Sequence, residues 1–125
     1  MSLNWTQLVA TAEAEVRDTL RTLPGPLRER ARALPVTYEH EPNAGLVDDG
    51  IEPDTLGLFV GEPFAESGLT TEPLPSQIIL FLDNLWDFAE GDEDIYREEI
   101  RTTYLHELGH YLGLDEIDLE DRGLE

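Results

Sequence analysis

The residues of this chain best suited to chemistry are His106-Glu107-Leu108-Gly109-His110. On a helix, positions four apart lie one turn up the same face, about 6 Å along the axis. Two imidazoles so placed can converge on one zinc ion at roughly 2.0–2.1 Å each. Zinc lowers the pKa of a water it binds toward about 7 and polarises a carbonyl group. Glu107, one position round the helix, is placed to take that water's proton and pass it to a leaving amine. The spacing therefore predicts metal-assisted hydrolysis of a peptide bond.

A site of this kind needs a third protein ligand and an open fourth position. The spacing continues as His106-Glu107-x-x-His110-x-x-Gly113-x-x-Glu116. Gly113 can adopt positive φ and turn the chain back, which would bring a side chain three residues later under the metal. Glu116 is the first candidate, then Asp115, then Asp118 or the remaining histidine, His40. A five-residue match also arises by accident on amphipathic helices, where the histidines are a solvated pair and the glutamate an exposed acid. Here the chain has three histidines in all, two of them fall at this spacing, and a glycine follows at the right step.

The elements that must position these residues follow from hydrophobic period and turn chemistry. Leu8, Ala12, Val16, Leu20 and Leu23 recur at three- and four-residue steps and predict a helix over 5–23. Pro24-Gly25-Pro26 breaks it, and a short helix over 27–34 precedes Pro35. Residues 36–39 and 56–61 read as strands, and 42–54 and 62–76 as loops. Gln77-Ile78-Ile79-Leu80-Phe81-Leu82 is the most strand-like run; its apolar continuity predicts burial on both faces. A helical turn is expected over 84–89. Asp92 then caps the helix that carries the histidines, 93–112, which Gly113 ends. A last short acidic helix is expected over 115–122. Tyr38, Tyr96, Tyr104 and Tyr111 read as core or core-edge aromatics, any one of which could instead steady an oxyanion. The acidic run Asp48–Asp54 lacks the alternating ligands of a calcium loop and reads as a solvated loop.

The whole is the size of one domain, 125 residues with 40% hydrophobic content. No apolar run approaches the roughly 18 residues needed to span a bilayer, and the N-terminus lacks the pattern of a secretory signal. A cytoplasmic protein is expected. Absent cysteine excludes disulfides, thiolate metal sites and thiol nucleophiles. The net charge of −20 argues against nucleic acid and against an anionic membrane surface. It is uneven: residues 1–35 carry five arginines and four acids, residues 36–125 three arginines and 24 acids. This acidity is a solubilising surface first, and secondarily an attraction for cations and basic peptides.

Three blocks make the chain resemble the small bacterial zincin-like metallopeptidase family: residues 55–61, 74–81 and above all 101–116, which holds the two histidines, Glu107 and Glu116. The resemblance implies an α+β minimal zincin-like fold, with a short β-sheet packed on an N-terminal helix and a C-terminal active-site helix. It also implies a peptide or protein substrate, His106 and His110 as zinc ligands, Glu107 as base and an acidic third ligand near Glu116. The metzincin pattern is similar, but its third histidine is replaced here by Glu116, and a Met-turn is excluded because the only methionine is Met1. Against the peptidase stands one rival, a non-catalytic zinc-stabilised module whose acidic surface binds a basic partner. An intact Glu107 favours the peptidase, because a purely structural metal site has no use for it.

Overall fold

The computed structural model describes residues 3–61 and 76–112. Helix α1 (Trp5–Thr22) opens on a reciprocal cap: the Asn4 side chain accepts from the Gln7 amide, and the Gln7 side chain accepts from the Asn4 amide, each at 2.9 Å. It buries Leu8, Ala12, Val16 and Thr19. Helix α2 (Gly25–Arg32) starts two residues earlier than the sequence predicts. The break after α1 holds at Leu23 and Pro24, but Pro26 falls in the first turn of α2, where its missing N–H is no loss.

Strand β1 (Val36–Glu39) is followed by a short helix, α3 (Ala44–Asp48), inside the segment expected to be a loop. Asn43 nucleates it by accepting from the Leu46 amide at 2.9 Å. Strand β2 (Gly57–Val60) and strand β3 (Gln77–Phe81) complete the sheet, and β3 runs directly into α4 (Leu82–Phe88). Helix α5 (Glu93–Leu112) begins as predicted at Asp92, whose carboxylate accepts from the Ile95 amide at 3.1 Å. Glu93 and Asp94 in its first turn suit the positive end of the helix dipole. Gly113, the acidic segment 115–122 and most of the predicted loop 62–76 lie outside the described residues.

The sheet order is β1-β3-β2, with β1 parallel and β2 antiparallel to the central strand. Ile78 and Leu80 of β3 are fully buried. They join Leu8, Ala12 and Val16 of α1 and Ile100, Tyr104 and Leu108 of α5 in one core. Burial on both faces, predicted for β3, holds for one. Ile79 is half-buried between Thr37 and Leu58. The same face carries Gln77, whose side chain accepts from the Thr37 hydroxyl at 2.6 Å, both residues being only partly buried. Only Phe81, where the chain turns into α4, is enclosed there. The architecture is the expected α+β one: a small sheet packed on an N-terminal helix and on the histidine-bearing C-terminal helix. Among the described residues no helix is long and apolar enough to cross a membrane.

Candidate active site

Helix α5 passes close beneath β2, and a glycine makes this possible. A Cβ at Gly57 would lie 2.5 Å from the Thr103 methyl carbon, well inside van der Waals contact. Two residues on, the Phe59 ring meets Tyr111 with centroids 5.7 Å apart. The Phe59 amide donates to the Glu107 carboxylate. So α5 meets β2 through positions 103, 107 and 111, one four-residue row of the helix.

The strand register explains why that amide is available. The Phe81 amide donates to the Leu56 carbonyl at 3.0 Å, which makes 56/81 a hydrogen-bonded pair of the antiparallel ladder. By the two-residue alternation, Leu58 and Val60 also bond to β3, while Gly57 and Phe59 direct their N–H and C=O groups away from it. Among the described residues, β2 is an edge with these groups outward.

Glu107 sits below that edge with its side chain 12% exposed, and its Oε2 is buried without a hydrogen-bond partner among the described residues. His110 Nε2 lies 3.8 Å from that oxygen, too far for a hydrogen bond. Burial pushes the carboxyl above its ordinary pKa; the charge of His106 and the Phe59 amide pull it back, and burial wins. His106 and His110 are both exposed on the same side of α5. Their rings stand edge to face, centroids 4.9 Å apart at 85°. An ion about 2.0–2.1 Å from one nitrogen of each ring is about 3.2 Å from each ring centre, so near-tetrahedral binding puts the centres about 5 Å apart. The observed separation of the two rings fits a shared ion. An open cleft of about 440 Å³ is lined by Leu58, Phe59, Gly61, Glu107 and His110.

The sequence-predicted residues separate into three groups. His106, Glu107 and His110 come together on α5. Glu116, Asp115 and Asp118, the carboxylate candidates for third ligand, lie outside the described residues, and no group of three metal-ligating side chains is assembled among those that are described. His40 is held elsewhere. It stacks on Trp5 at 3.8 Å and 23°, and its Nδ1 lies 3.0 Å from Asp83 Oδ2. In the sheet register it follows Glu39, opposite Phe81, whereas Phe59 lies opposite Ile78. Four residues of strand, about 13 Å, separate the two.

The tyrosines divide as well. Tyr96 and Tyr104 are fully buried in the core, and the Tyr96 hydroxyl donates to the Leu8 carbonyl at 2.9 Å. Burial raises both phenols, and burial with the charge of Glu13 pushes Tyr38 up to about 12. Tyr111 touches a residue of the cleft wall, Phe59. Sequence reasoning missed the Phe59 amide, which no side-chain pattern marks. It also missed the role of Gly57, although a glycine inside an apolar strand is itself a sign of close approach.

A family model described as zincin-like metallopeptidase matches residues 31–124, and the chain belongs to that family. Zinc use and peptide or protein substrates are the general chemistry of such proteins. No curated protein matches the chain.

Proposed function

We propose that the protein is a zinc-dependent peptidase, with His106 and His110 as metal ligands, Glu107 as general base and Glu116 as the third ligand. Zinc, when bound, supplies Lewis-acid polarisation of the carbonyl and lowers the pKa of water. The remaining work falls to the chain. The outward N–H and C=O groups of Gly57 and the outward C=O of Phe59 pair with an extended peptide backbone, as sheet edges do, while the Phe59 N–H holds Glu107. This lays one peptide bond over the cleft. Glu107 takes a proton from the attacking water and returns it to the departing amine, so the carboxylate ends the cycle as it began. Its raised pKa suits both halves of that exchange better than an ordinary surface glutamate would.

The observation that carries this reading is the state of Glu107. A carboxylate 12% exposed, with one oxygen unpartnered among the described residues, borders an open cleft beside the β2 edge. A buried unsatisfied acid costs about 1–3 kcal/mol or more, which a structural role does not explain. The test is Glu107→Gln, which keeps size and hydrogen bonding but not basicity. Hydrolysis of a mixed peptide library by zinc-loaded protein should fall about 10²–10⁴-fold, with zinc content by elemental analysis unchanged. Equal cleavage by the two proteins would sink the proposal, as would failure of the wild-type protein to take up zinc.

A further inference from the structure

A second cavity, of about 270 Å³, opens at the other end of β2, lined by Asp54, Leu56, Asn84, Asp87 and Phe88. Asn84 spends both amide hydrogens on the carbonyls of Pro53 and Thr55, at 2.8 and 2.9 Å. This fixes one wall against the other and leaves only the amide oxygen facing other groups. Asp54 and Asp87 are exposed, and neither carboxylate has a hydrogen-bond or ion-pair partner among the described residues. The polar lining therefore offers acceptors and no side-chain donor. Phe88, 56% exposed, is the most exposed large apolar side chain among the described residues. Two free carboxylates and an amide oxygen beside an aromatic face match a guanidinium, which is planar, rich in donors and weakly hydrated. A hydrated divalent ion would gain nothing from Phe88 and Leu56.

The two cavities share one strand. Asp54 and Leu56 lead into β2, while Phe59 and Gly61 border the Glu107 cleft at its far end. Leu56 to Phe59 is three residues, or about 10 Å of strand. We propose that the Asp54–Asp87–Phe88 cavity binds an arginine of the peptide lying along β2, about three to five residues from the bond held over Glu107. The structure thereby assigns a substrate class, peptides with a basic residue at a fixed distance from the cut. The net charge of −20 would draw in such peptides from solution. The peptide's path rests on the peptidase reading above; the cavity's chemistry does not.

The test uses fluorescein-labelled peptides of threonine and alanine carrying a single arginine, and the same peptides with glutamine or lysine in its place. Fluorescence anisotropy against zinc-loaded Glu107→Gln protein should show the arginine peptide binding about tenfold tighter than the glutamine peptide, with lysine between. Asp54→Asn/Asp87→Asn, and separately Phe88→Ala, should erase most of that preference. Glu41→Gln/Glu98→Gln, an equal change of charge at exposed sites outside both cavities, should leave it. A preference that survives the cavity variants, or that the control pair abolishes equally, overturns the proposal. With wild-type protein, cuts should fall about three to five residues from the arginine; cuts at random distance also overturn it. Arginine preference without any cutting removes the peptidase reading alone, and cutting without arginine preference removes this one alone.

Discussion

The two ends of the sheet each place a histidine beside a carboxylate, and the two pairs are opposite in kind. At the end that faces α4, His40 and Asp83 meet at 3.0 Å with both side chains about half exposed, and Trp5 covers the imidazole. The imidazole is held on its face by Trp5 and at its edge by Asp83. At the other end, His110 and Glu107 stand 3.8 Å apart, with the acid 12% exposed and one of its oxygens unpartnered among the described residues. The first is an exposed hydrogen-bonded pair that, through Trp5, helps anchor α1 to the sheet. The second leaves bonding capacity unused next to a cleft. The same two residue types thus serve two ends, and what separates them is water access and satisfaction, not identity.

The sharpest way to break this comparison is by metal. His106→Ala or His110→Ala should abolish stoichiometric zinc uptake, while His40→Ala should leave it intact. Elemental analysis after dialysis decides, and zinc loss in the His40 variant would show the two ends to be less distinct than claimed. Next in size is the packing that raises the acid to the edge. Gly57→Val should lower stability by about 1–3 kcal/mol in urea unfolding, because its side chain must displace Thr103; Gly57→Val/Thr103→Ala should recover part of the loss.

A pH series separates the acids themselves. The Glu107 carboxyl binds its proton more tightly folded than unfolded. Its contribution to stability is therefore fully present below the ordinary glutamate pKa, and is lost as pH rises through the raised folded value. In metal-free protein, Glu107→Gln should gain stability relative to wild type across that rise and hold a constant difference above it. A constant difference throughout would show the carboxyl to be unperturbed. The smallest effect belongs to the satisfied pair: Asp83→Asn should cost no more than about 1 kcal/mol and leave zinc and hydrolysis alone.

Much of this was legible in the sequence because it depends on period. The 93–112 helix, its Asp92 cap and the pairing of His106 with His110 follow from spacing that a helix alone satisfies. The β-branched run at 77–81 announced the central strand. What escaped depends on contacts between distant segments. Residues 44–48 look like loop by composition, yet one Asn43 cap suffices for a turn of helix. Pro24-Gly25-Pro26 does separate two helices, but a proline in a first turn is no obstacle, so the second starts two residues early. That Phe59 would turn its amide toward Glu107 follows from strand register, which no local pattern encodes. Gly57 was visible, but its partner Thr103, 46 residues away in the chain, was not.

The Asn84 clasp has a further consequence. It ties the residues before β2 to α4, and at the strand's far end Gly61 lies so close to Ser76 that a Cβ there would sit 2.6 Å from its Cα. A strand pinned at both ends behaves as a ruler, because it cannot slide to accommodate a guest. A guest moved by one residue would present its side chains to the opposite face, so tolerated placements come in steps of two.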